Sequence, residues 1–215
     1  EKVDLSNFEM DYRALLEQIP GVTYITALDE IGSRLYISPQ IEEMLGFPPS
    51  EWLTNPHLWF RQIYPDDRKR VLFEFYKSHS NGKPFRSEYR LIRRDGRIVW
   101  VRDEGKVVRD ESNHPRFIQG FMVDITELMR TREAIQKSEE KFQTIFEGMR
   151  VGIALVNGDG KIIESNQTLQ KMLGYRGEEL YGKGLTELAH PEDANQDMDD
   201  YQELMAGKKT HYQLE

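Results

Sequence analysis

The chain has 215 residues, 38% hydrophobic and 31% charged, which is enough apolar surface for one or two ordinary cores. It has no cysteine, which excludes disulfides, thiolate metal sites and cysteine nucleophiles and fits a reducing cytoplasm. The net charge of −8 (18 basic against 20 acidic side chains over residues 1–126, 11 against 17 over 127–215) argues against a nucleic-acid partner, and no apolar run approaches the roughly 20 residues of a membrane-spanning helix.

Residues 6–19 have the pattern of a short amphipathic helix. Ser6 or Asn7 can cap it, and Phe8, Tyr12, Leu15, Leu16 and Ile19 recur at helical spacing before Pro20-Gly21 stops it. Residues 22–28 and 34–38 are β-rich runs joined by a turn with Asp29, Glu30 and Gly32. Ile41, Met44 and Leu45 then share one face of a short helix closed by Gly46. A second short helix starts near Ser50, after Pro48-Pro49 and with Glu51 in its first turn. Pro65-Asp66-Asp67 opens a longer helix with an apolar stripe of Val71, Leu72, Phe75 and Tyr76, and Asn81-Gly82 ends it.

From Phe85 the period changes to two. Residues 85–93, 98–108 and 116–123 read as three strands, with Asp95-Gly96 marking the first hairpin and 110–115 a longer turn. Two strands, several short helices and three hairpin-connected strands predict an α+β domain on an antiparallel sheet.

After Thr126 the chain is rich in Glu, Lys, Arg and Gln, without Pro or Gly until Gly148. Leu128, Ile135, Phe142 and Met149 recur every seven residues, as one coiled-coil seam does; the other seam position carries polar Thr131 and Ser138 and is apolar only at Ile145. Parallel dimerisation and a plain connecting helix both fit this pattern.

The chain also repeats itself. Gly21 answers Gly152, and Met44-Leu45-Gly46-Phe47 answers Met172-Leu173-Gly174-Tyr175. Glu51-Trp52 answers Glu179-Leu180, Tyr64-Pro65-Asp66-Asp67 answers His190-Pro191-Glu192-Asp193, and Gly82-Lys83 answers Gly207-Lys208. The organisation expected is an N-terminal helix (1–19), a first domain (20–126), a connecting helix (127–149) and a second copy (150–215). The second copy lacks its C-terminal strands, about forty residues by comparison with the first. It is expected to be poorly ordered, completed by another chain, or trimmed from a longer one.

These landmarks together resemble the PAS domains of bacterial signalling proteins. The residues that carry the resemblance are the Leu-Gly-Phe/Tyr helix ends, the Pro-Asp-Asp and His-Pro-Glu-Asp helix openings, Arg93-Arg94-Asp95-Gly96 before Ile98-Val99-Trp100-Val101, and Asp124-Ile125-Thr126. The resemblance implies a tandem PAS/PAC sensor of a sensor kinase, diguanylate cyclase or phosphodiesterase, with a five-stranded antiparallel sheet, helices on one face and a pocket between. It also implies that Asp124 and Thr126 couple the sheet to the exit helix. Thr126 can cap that helix and Asp124 suits its dipole, and a plain helix cap is the alternative.

No cofactor is expected. Cysteinyl–flavin photochemistry is excluded by the lack of Cys, and Met122 stands where flavin-binding relatives place a Gln. His79, at the end of the long helix, reads as a solvated cap rather than a haem ligand. His190 reads as the loop His of the resemblance, and His57, His114 and His211 lack metal-ligand spacing. Tyr24, Ile37, Met44, Phe60, Phe73, Tyr89 and Met122 either line a pocket for a small organic ligand or fill a core. Arg86, Arg90, Arg93, Arg94, Arg97 and Arg102 are expected on a solvated sheet face, paired with Glu88, Asp95, Asp103 and Glu104; a surface for an acidic partner is the alternative. No catalytic motif is present. The segment itself is therefore expected to be a non-enzymatic sensory relay, cytoplasmic or on the cytoplasmic side of a membrane-anchored protein. Its expected partners are a second copy of itself and a C-terminal output domain in cis. The competing readings are a ligand-free interaction or dimerisation module and a fragment of a diguanylate cyclase or histidine kinase whose catalytic part is missing.

Overall fold

A computed structural model describes residues 20–29 and 33–188, the side chains of 79–81 and 185–186 excepted. The helix expected over 6–19, turn residues Glu30 and Gly32, and the repeat landmarks from His190 onward lie outside the described residues.

Strands β1 (Val22–Thr26) and β2 (Arg34–Ile37) lead into helices α1 (Gln40–Leu45), α2 (Pro49–Thr54), α3 (Leu58–Gln62) and α4 (Pro65–Asn81). Then come β3 (Phe85–Ile92), β4 (Ile98–Arg109) and β5 (Pro115–Asp124). Proline opens α2 and α4, where a missing N–H costs nothing, and Gly46 and Gly82 end α1 and α4 at φ of 78° and 64°. The single-turn helix α3 had no counterpart among the sequence-based expectations.

The five strands form one antiparallel sheet in the order β2-β1-β5-β4-β3. Hairpin signals foretell the β3-β4-β5 ribbon, but the β1–β5 pairing that closes the sheet joins residues far apart in the chain (Val22 opposite Met122). Period-two alternation turns Val22, Tyr24, Tyr89, Leu91, Val101 and Met122 inward, where Ile41, Leu45, Trp52, Leu58 and Val71 from the four helices pack on them. Each large side chain so buried contributes about 1.5–3 kcal/mol before entropy is counted.

Helix α5 (Thr126–Gly148) follows, and the division of the chain into two compact units falls inside it, between Glu133 and Ala134. In the second unit, β6 (Ala154–Val156) and β7 (Ile162–Ser165) form a hairpin followed by α6 (Gln167–Leu173), α7 (Gly177–Leu180) and α8 (Leu185–Leu188). Gly174 ends α6 at φ of 74°, as Gly46 ends α1, so the repeated Leu-Gly-aromatic motif performs the same backbone task in both copies.

Candidate functional site

The inner face of the first sheet carries a buried polar cluster. Asp103 is 1% exposed, and its two carboxylate oxygens accept hydrogen bonds from Tyr24 Oη at 2.7 Å and Tyr89 Oη at 2.6 Å. Trp59 Nε1 donates to Tyr89 Oη at 2.9 Å, which extends the network into α3. The Tyr24 ring reaches Asp103 by lying across β5 and β4 where both lack side chains. A Cβ on Gly120 would sit 2.0 Å from that ring, and one on Gly105 would sit 3.1 Å from its hydroxyl. Arg34 stacks over Tyr24 at 4.1 Å and donates to Thr26 Oγ1, while its Nε is buried without a hydrogen-bond partner.

Burial pushes the Asp103 carboxyl above the usual carboxylate range, against the opposing pull of the two tyrosine hydroxyls and Arg34. Burial first, and the neighbouring Asp103 second, push both tyrosine hydroxyls well above their ordinary value.

Four of the seven expected pocket residues, Tyr24, Ile37, Tyr89 and Met122, meet in this core, and Met44 packs against it half-buried. Phe73 and Phe60 do not. Phe73 is 66% exposed because Val71 fixes the inward side of α4, and a residue two positions on lies about 200° around a helix. Phe75, four residues from Val71, is the aromatic that turns in, against Trp59 at 5.1 Å and Phe85 at 5.6 Å. Phe60 is 39% exposed under Arg68, since Leu58 takes the inward position of α3 and Trp59 turns its ring to Tyr89.

Asp103 also departs from expectation, as it belongs to the core and not to the solvated face. The signal was available: Val99, Val101, Asp103 and Gly105 share one parity on β4. The arginines otherwise pair on the surface as expected, Arg102 with Glu88, Arg86 with Glu104, and Arg93 and Arg97 with Asp95. Arg94 and Arg90 find carboxylates on helices instead, Glu51 and Asp67.

Arg90 is the most heavily engaged of them. Its Nε and backbone N–H both donate to Asp67 Oδ2 and its second guanidinium nitrogen to Oδ1, all at 2.9 Å. The guanidinium lies 4.1 Å from the Tyr64 ring and 5.4 Å from Trp100. These hydrogen bonds from Arg90 hold the Asp67 carboxyl below the usual carboxylate range.

Trp100 is also where the exit turn is fastened. Its backbone N–H donates to Thr126 Oγ1 at 3.0 Å, and its carbonyl accepts from Ile125 N at 2.8 Å. Asp124 Oδ1 accepts from Thr126 N at 2.7 Å, so Asp124 supplies the cap at the start of α5. The cap expected of Thr126 is thus supplied by Asp124, and the Thr126 hydroxyl is turned to β4. Along α5, Leu128, Ile135, Phe142 and Ile145 are all exposed, as is Met149 just past its end. Among the described residues no group of His, Asp and Glu side chains is arranged to hold a metal ion, and no helix is long and apolar enough to cross a membrane.

A five-stranded antiparallel sheet with one helical face, leaving through an Asp-Ile-Thr turn into a long charged helix, defines a sensor-type α+β domain. Family models described as the PAS fold match residues 34–122 and 140–211, and the chain belongs to the PAS family, with two domains in tandem. It is 36% identical over 84 residues to the probable diguanylate cyclase DgcE of Escherichia coli, covering 39% of this chain and 8% of that protein. It is 25% identical over 187 residues to the two-component sensor PprA of Pseudomonas aeruginosa, covering 85% of this chain and 20% of that one. A sensory box histidine kinase/response regulator of Burkholderia thailandensis shares the fold at a TM-score of 0.50 and 22% identity, over 62% of this chain and 98% of that one. The chain spans a fifth or less of the length of these two sequence relatives.

Proposed function

We propose that this chain is the sensory input and relay segment of a bacterial signal-transduction protein, and that it controls a cyclase or kinase output domain in cis. The first domain is the sensing body, the Asp124–Thr126 turn its coupling point, and α5 the relay. The observation that carries this reading is the double hydrogen bond between Trp100 and the exit turn. A shift of β4 moves the start of α5, because the turn is bonded to that strand in both directions. The names of the relatives, a probable cyclase and a two-component sensor, support the class of output.

The exposed seam of Leu128, Ile135 and Phe142 is proposed to pair two copies in parallel. Charged residues at Ile135 and Phe142 together should abolish a dimer in sedimentation while the tryptophan fluorescence of the first domain stays native. A chain that remains dimeric breaks this part of the reading.

A second reading, a ligand-free dimerisation module, is favoured by the Tyr24 ring, which occupies the middle of the inner face over Gly120 and Gly105. A small organic ligand would bind beside the Asp103 cluster under the first reading. Native mass spectrometry of protein purified from its host separates the two: a bound mass supports sensing, an empty dimer the module.

A further inference from the structure

In the second domain the end of α5 is bonded to the body of the domain by several side chains, and one of them, Asn166, makes the buried bonds. Asn166 is 0% exposed. Its Oδ1 accepts from Ile153 N and Leu169 N, and its Nδ2 donates to Phe146 O and Val151 O, all at 2.9 Å. A primary amide offers two donor hydrogens and two acceptor lone pairs, so this residue is saturated. The carbonyl of Phe146 is one of the orphan acceptors that a helix ending at Gly148 leaves unpaired.

Neighbouring bonds join the same two turns. Glu147 Oε2 accepts from Gln167 N at 2.9 Å, and Thr168 Oγ1 donates to Met149 O at 2.7 Å. Domain one shows what this position needs for the sheet alone. Ser38 stands there, accepting from Thr23 N at 3.0 Å, just as Asn166 accepts from Ile153. Domain two adds the cap bond from Leu169 N and the two donor bonds, and both donor bonds are made to the end of α5 and the residues leaving it.

We infer that Asn166 is the receiving joint of the second domain: a positioning residue that ties the end of α5 to β6 and the start of α6, so that movement of the helix is transmitted into that domain. The inference rests on the relay reading above and adds the residue at which the relay is received.

Hydrogen exchange on the whole chain, wild type against Asn166→Ser, tests it. Serine keeps an acceptor for Ile153, as Ser38 does for Thr23, and replaces the two N–H donors of the amide by one hydroxyl on a shorter side chain, which cannot make both bonds to Phe146 O and Val151 O. Energetic coupling between two sites is reciprocal, so a joint that receives from the helix must also be felt at its start. Exchange is expected to quicken by about fivefold or more at amides within 146–170 and also at Trp100 N–H, whose acceptor is Thr126. Quickening confined to 146–170 would reduce Asn166 to a local cap and overturn the inference; so would no change anywhere. Should Asn166→Ser unfold the second domain, Thr168→Val, which removes only the bond to Met149, is read in the same way. Thr126→Val separates the two levels. If it alters exchange in domain two while Asn166→Ser leaves Trp100 unmoved, the relay stands and the joint falls. If neither substitution is felt across α5, the relay itself falls.

Discussion

The two domains solve the same problem, a polar group inside a sheet-and-helix core, with different chemistry. Domain one buries a carboxyl group, Asp103, whose partners are side-chain hydroxyls drawn from β1 and β3. Domain two buries an amide, Asn166, which donates and accepts and therefore stitches four backbone groups directly. A carboxylate network responds to protons and to whatever competes for tyrosine hydroxyls; an amide network responds only to displacement of the chain. The difference suits the proposed division into a first domain that senses and a second that receives.

Breaking the carboxylate network should give the largest effect. Asp103→Ala strands two buried hydroxyls and should destabilise domain one by about 2–5 kcal/mol. Urea unfolding followed by tryptophan fluorescence reads this domain alone, since all three tryptophans, Trp52, Trp59 and Trp100, belong to it. Gly120→Ala comes next. Its Cβ would displace the Tyr24 ring from over β5, an overpacking of about 1–3 kcal/mol in the same assay.

The pH dependence sharpens the comparison. Asp103 is raised in the folded state, so between the ordinary carboxylate range and its folded value the native state holds a proton the unfolded chain has lost. Its contribution to stability therefore falls as pH rises through that window, and Asp103→Asn should abolish the fall. Asp67 has the opposite sign. Held low by Arg90, it stabilises above the ordinary carboxylate range and loses that effect as pH drops through its depressed value; Asp67→Asn should remove this acid-side loss. Arg90→Lys keeps the charge but not the fork geometry, and should cost about 1–2 kcal/mol at neutral pH by urea unfolding. Smallest is Thr126→Val, about 1 kcal/mol, because one hydrogen bond to a single backbone N–H is lost at a half-buried position.

The sequence reading succeeded where local signals are strong. Pro49 and Pro65 open helices, Gly46, Gly82 and Gly174 end them, and Asp95-Gly96 turns a hairpin, each for a reason confined to a few residues. Hydrophobic character alone does not make Phe73 and Phe60 inward, because Val71 and Leu58 already fix the inward sides of their helices. At Asp103 strand parity overrides charge, because two tyrosine hydroxyls satisfy the buried carboxyl group. Trp59 was missed because α3 is one turn long and leaves no periodicity to read.

The order of elements apart from α3, the duplication and the family were thus determined by the sequence alone, since turn chemistry and hydrophobic period are local properties that repeat at fixed spacing. The β1–β5 pairing, the meeting of Tyr24, Asp103 and Tyr89, and the four bonds of Asn166 were decided only by tertiary structure. Each joins residues far apart in the chain, and each depends on a backbone approach, such as Tyr24 over Gly120, that no short window of sequence contains.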